Sequence, residues 1–86
     1  MAKFDYIYGR LGYNSSNDRY GLLESDLWVN DGFHCGEPLE VKVNGKWVET
    51  TMEMLWDKSG SHWFLTETNY IENLEYIQAR IKRQVY

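Results

Sequence analysis

The dipeptide Asn44-Gly45, flanked on both sides by alternating apolar and polar residues, constrains this chain more than any other feature. Both residues tolerate positive φ, and a two-residue loop of this composition closes a β-hairpin whose turn twist matches that of its strands. Leu39, Val41 and Val43 alternate with Glu40 and Lys42 on the way in. The short loop then dictates the pairing: Val43 faces Lys46, Lys42 faces Trp47, Val41 faces Val48, Glu40 faces Glu49 and Leu39 faces Thr50. Opposed side chains share a face, so Leu39, Val41, Val48, Met52 and Met54 make a core side. Glu40, Lys42, Trp47, Glu49, Thr51 and Glu53 make the other side, polar except for one tryptophan.

Around this hairpin, glycines at 9, 12, 21, 32, 36, 45 and 60 separate runs rich in Tyr, Trp, Val, Ile and Thr, which is strand composition. Residues Tyr6 to Leu11 and Arg19 to Leu23 are expected to pair across the polar stretch from Tyr13 to Asp18. Asp57-Lys58-Ser59-Gly60 reads as a turn into a strand from Ser61 to Thr66. The last segment carries two periods: Ile77, Ala79 and Ile81 alternate as in a strand, whereas Leu74, Ile77, Ile81 and Val85 keep helical spacing. Strand is the preferred reading and a short C-terminal helix the alternative. The expected fold is all-β, a small Src-homology-3-like barrel of about five to six short antiparallel strands, with residues 1–86 as a single domain.

Eighty-six residues leave room for one core, and four Trp, seven Tyr and three Phe supply much of its bulk. The lone Cys35 forms no intramolecular disulfide, which favours a reducing compartment. No apolar run reaches the ~20 residues of a membrane span, and the N-terminal residues lack the apolar stretch of a signal peptide. A cytoplasmic location without membrane association is therefore expected. The net charge of −4 opposes binding to nucleic acid, although Arg80, Lys82 and Arg83 gather three cations near the C-terminus.

The run Trp28-Val29-Asn30-Asp31-Gly32-Phe33-His34-Cys35-Gly36-Glu37-Pro38-Leu39-Glu40-Val41, followed by Gly45-Lys46-Trp47-Val48 and then Trp63-Phe64-Leu65, resembles a family known as DUF5348, a domain of unknown function from Firmicutes and their mobile elements. The likeness covers Gly9 to about Arg80 and leaves Lys3 to Tyr8 and Gln84 to Tyr86 outside. It implies a compact β domain encoded by such bacteria on a plasmid, phage or conjugative element. It implies no activity.

Several chemistries can be weighed on the residues. His34, Cys35, Glu37 and His62 are the candidate metal ligands, yet neighbours on an extended strand point to opposite faces and a closed zinc site takes four ligands of Cys/His type. No metal and no cofactor is expected. A Cys35–His62 nucleophile would need an activated thiol; Cys35 instead falls on the core-facing parity of the hairpin, opposite Met54 if the register persists past Gly36, and a thiol packed there is inert. Glu40 and Glu49 form a carboxylate pair, but on an open sheet face water screens it. Gly9-Arg10-Leu11-Gly12 has neither the spacing nor the following helix of a phosphate loop. The chain is accordingly expected not to be an enzyme.

What remains is a non-enzymatic protein-interaction or regulatory module of a mobile element, with an inhibitor of a host defence system as one form suited to an acidic chain. Trp47, Lys42, Glu40 and Glu49 are its candidate partner-binding residues. The rival is a single-stranded nucleic-acid-binding barrel in which exposed rings stack bases and Arg80, Lys82 and Arg83 meet phosphates.

Overall fold

The computed structural model describes residues 3–68, 70 and 73–85, and its regular structure is all-β. Seven strands, β1 (Lys3–Asn14), β2 (Arg19–Glu24), β3 (Leu27–Asn30), β4 (Pro38–Val43), β5 (Lys46–Asp57), β6 (Gly60–Leu65) and β7 (Gln78–Val85), form one antiparallel sheet in the order β3-β2-β1-β7-β4-β5-β6. Asn44 and Gly45 take φ of 51° and 80°, and β4 meets β5 in the register their turn requires, from Leu39 opposite Thr50 to Val43 opposite Lys46. The C-terminal segment is strand β7 rather than helix, because it lies between β1 and β4 and supplies backbone partners to both.

Seven strands exceed the five to six expected. The additional one is β3, entered through Ser25 and Asp26 at φ of 50° and 65°, a hairpin turn made without the glycine that would have marked it. The pairing of β1 also differs from expectation. Its residues Lys3 to Arg10 pair with β7, and only Arg10 to Asn14 pair with β2. β5 changes partner in the same way, from β4 over Lys46 to Thr51 to β6 over Met52 to Asp57. At that change a threonine cluster satisfies the diverging strands. Thr66 Oγ1 accepts from the Thr51 amide at 2.9 Å, and the Thr50 hydroxyl donates to the Thr66 carbonyl.

The sheet is open, with β3 and β6 at its ends, and no backbone pairing joins those ends among the described residues. Its curl is closed by side chains instead. Trp63 of β6 donates its Nε1–H to the Asp18 carbonyl in the β1–β2 turn at 3.0 Å, and the Arg19 guanidinium lies over the same indole. Inside the curl, Leu11, Leu22, Phe33, Leu39, Val41, Met52, Leu65, Leu74 and Ala79 form one buried cluster. Three of the five hairpin residues assigned to the core, Leu39, Val41 and Met52, lie there, while Val48 and Met54 are half-buried.

On the far side of the β1–β2 pair, Gly12 stands opposite Gly21 and the Trp28 indole covers both. A Cβ on Gly21 would come within 2.2 Å of the Asn30 carbonyl oxygen and 2.9 Å of the ring. The close approach of β3 therefore requires glycine there. Gly21→Ala is expected to destabilise the fold by about 1–3 kcal/mol, the usual cost of forcing an atom into a filled space, as read from urea unfolding.

Candidate functional site

The outer face of β1, β7, β4 and β5 carries the candidate site. Tyr8 stands opposite Arg80, Arg80 opposite Glu40, and Glu40 opposite Glu49, so one row of side chains crosses four strands. Tyr6 and Lys82 extend it on one side, Lys42 and Trp47 on the other. Alternation along each strand brings these residues to one surface.

Arg80 is the centre of that surface. Its Nε and Nη2 donate to Glu40 Oε1 at 3.1 and 2.7 Å, and its Nη1 donates to the Tyr8 hydroxyl at 3.3 Å. The guanidinium carbon lies 3.9 Å from the Tyr6 ring centroid and 4.4 Å from that of Trp47. Tyr8 meets Trp47 edge to face at 5.7 Å, and Lys42 Nζ is also 5.7 Å from the indole. With side-chain exposures of 15% and 11%, Arg80 and Glu40 are a largely desolvated pair. Burial pulls the guanidinium's pKa down, but the Glu40 and Tyr8 hydrogen bonds and the Glu40 charge outweigh it and hold Arg80 above its ordinary value.

The two sets of residues singled out from the sequence thus converge. Trp47, Lys42, Glu40 and Glu49 share a face with Arg80 and Lys82. Arg83 does not join them: alternation sends it to the other side of β7, where it pairs with Asp5 at 3.0 Å. Glu40 is buried at 8% exposure, so it is not half of a solvated carboxylate pair with Glu49; Arg80 neutralises it. Trp47 is half-buried. Tyr6 and Tyr8 are functional candidates that sequence reasoning passed over. Their alternation with Phe4 was legible, but which strands would lie beside them was not. A groove of about 710 Å³ runs beside the cluster between Trp47 and the β2–β3 turn, with Tyr8, Lys42, Tyr76 and Asp26 in its walls. Tyr76 is 69% exposed and holds a φ of 69°, unusual for a bulky residue.

The other candidate chemistries are not assembled. Cys35 is exposed, not core-facing as the extended hairpin register implied. The register ends at Pro38, because the chain turns at Gly36, whose φ is 83° and whose amide donates to the Met52 carbonyl. His34 is exposed as well, and the Glu37 carboxylate accepts from the His34 amide and the Asn30 side chain, bracing this loop. No group of three or more metal-ligating side chains occurs among the described residues.

His62 meets Asp57 and Ser59 in its own hairpin. Its Nε2 lies 3.1 Å from Asp57 Oδ1 and 3.0 Å from Ser59 Oγ, and Ser59 donates directly to Asp57. A serine–histidine–aspartate relay needs the acid and the serine on different imidazole nitrogens; here one nitrogen meets both, and the triangle braces the turn.

A family model described as a domain of unknown function, DUF5348, matches residues 9–81. No curated protein and no solved structure matches the chain.

Two outcomes follow from this geometry. Arg80→Ala and Glu40→Ala are each expected to lower Tm, while the double variant loses less than the sum, because each single change strands a desolvated charge. Hydrogen bonds from the Ser59 hydroxyl, the Ser59 amide and His62 hold Asp57 below its ordinary carboxylate pKa. Their contribution is present above the unfolded-state value near pH 4 and fades as pH falls through the depressed one. Asp57→Asn should therefore remove part of the loss of stability seen on acidification below about pH 4, measured by thermal melts across that range.

Proposed function

The chain belongs to the DUF5348 family, whose description assigns no activity, and we propose that it is a non-enzymatic protein-interaction module working through the Arg80 face. The observation that carries this reading is the occupation of the aromatic rings. Bases stack on open ring faces, whereas Tyr6 and Trp47 present theirs to Arg80 within the same chain. The result is a preorganised patch of aromatic and guanidinium groups, the residue types that anchor protein partners. Tyr8, 53% exposed, and Phe4, 62% exposed, offer further contact area at its margin.

A cytoplasmic location, a source in Firmicutes and a place on a mobile element belong to the same proposal and rest on the lone cysteine and the family resemblance. Inhibition of a host defence protein is the form this module would take there, its net charge of −4 suiting a cationic target or imitation of nucleic acid. The curl of the sheet, with Trp63 against the β1–β2 turn, supports a Src-homology-3-like architecture.

One observation favours the single-stranded nucleic-acid reading. Arg10, Lys42, Arg80 and Lys82 put four cations on this face against the three carboxylates of Glu40, Glu49 and Glu53, a small local positive surplus in an acidic chain. Arg80 is already paired, however, and Arg83 lies on the opposite side.

Affinity capture from bacterial lysate separates the two. The tagged chain is expected to retain a stoichiometric protein partner through nuclease treatment and to lose it on Tyr8→Ala. Trp47→Ala should also lose it while costing only about 2 kcal/mol, less than a fully buried ring. Salt-dependent binding of a thymidine oligonucleotide, abolished by Lys42→Ala with Lys82→Ala, would replace this reading with its rival.

A further inference from the structure

The two end strands of the sheet are unlike. β6 keeps Trp63 and Phe64 half-buried and Leu65 buried. β3 exposes three consecutive apolar residues, Leu27 at 72% and Trp28 and Val29 at 39% each. End strands normally carry lysine, proline or inward charges that stop other chains from pairing with them. Leu27-Trp28-Val29-Asn30 carries none of these, although it is short and its pairing shifts register at Val29, so the edge it offers is confined to Trp28.

The backbone of β3 is also set to accept a strand. Glu24 and Leu27 flank the two-residue turn and form its hydrogen-bonded pair, so the next residue, Trp28 opposite Leu23, turns its N–H and C=O away from β2. The indole rests on Gly12 and Gly21, which holds this edge in place before any partner arrives. Asn14 and Asn17 fasten the end of the segment by donating to the Asp31 carbonyl at 2.9 and 2.8 Å. A preordered edge requires less ordering on binding.

Charge names the occupant. Asp26 and Asp31 flank the apolar run and are both exposed, with Glu24 beside them. A second copy fits poorly. In the antiparallel register its outward backbone allows, Trp28 against Trp28, the exposed Glu24, Asp26 and Asp31 of each copy would come alongside those of the other, and each copy carries a net −4. A strand with a cation on either side of a short apolar run reverses both terms.

We infer that β3 is a docking edge that adds an extended protein segment having basic residues on both sides of a short apolar run, through backbone pairing at Trp28 and charge pairing at Asp26 and Asp31. This is β-augmentation, in which main-chain hydrogen bonds give affinity and side chains at the ends give selectivity. It uses the β3 edge, which meets the groove beside the Arg80 face at Asp26, and does not depend on that face.

The test is NMR titration of the full chain with a short capped peptide of alternating valine and threonine bearing lysine at both ends, beside the same peptide bearing glutamate. The lysine peptide should shift the Leu27 to Asn30 amides, slow exchange of the Trp28 amide, and bind about tenfold or more tightly than the glutamate peptide. Asp26→Asn with Asp31→Asn keeps a residue that tolerates the turn's positive φ at 26 and should abolish that preference. Val29→Lys should abolish binding while the circular dichroism spectrum is unchanged. The inference is overturned by shifts centred elsewhere, by equal affinity for the two peptides, by no binding, or by a dimer formed through β3.

Discussion

The pair formed by Arg80 and Glu40 stands where the two halves of the sheet meet. β7 joins β4 at two residue pairs, Glu40 with Arg80 and Val41 with Ala79. Beneath that junction Ala79 and Val41 are fully buried in the core; above it Arg80 reaches Glu40, Tyr6, Tyr8 and Trp47. One side of the seam is thus held by apolar packing and the other by a desolvated ion pair stacked between rings. Desolvated pairs of this kind recover their solvation loss only when geometry is good and the remaining donors are used. The Tyr8 hydroxyl takes one of those donors.

The same arrangement shapes the surface. Arg80 lies over the rings of Tyr6 and Trp47, while Tyr8 and Phe4 stay exposed at the margin of the patch. The seam also unites residues distant in sequence, since β1 and β7 come from opposite ends of the chain. Pairings of such long range slow folding in general.

The residues weighed for catalysis and metal binding are kept apart by local geometry. A turn at Gly36 removes His34 and Cys35 from the hairpin register, Glu37 is engaged in bracing that turn, and His62 is tied into its own hairpin. Glu37 and His62 thus brace bends in the backbone, while His34 and Cys35 are exposed beside one. β3 shows the converse. Its apolar run was visible, but a turn made by Ser25 and Asp26 gave no glycine to announce a strand, so neither the strand nor its exposed edge was legible.

Local chemistry alone determined the all-β class, the Asn44-Gly45 hairpin and its register to the residue, because a two-residue turn and a period of two leave no freedom in which side chains oppose one another. It placed Trp47, Lys42, Glu40 and Glu49 together for the same reason. The tertiary structure decided the rest: that β7 is a strand between β1 and β4, that Arg80 neutralises Glu40 and is clasped by Tyr6 and Trp47, and that Arg83 faces away. Turn chemistry and alternation act over a few residues, whereas the neighbours of a strand are set by burial and by the demand of every edge for backbone partners, which only the complete chain can satisfy.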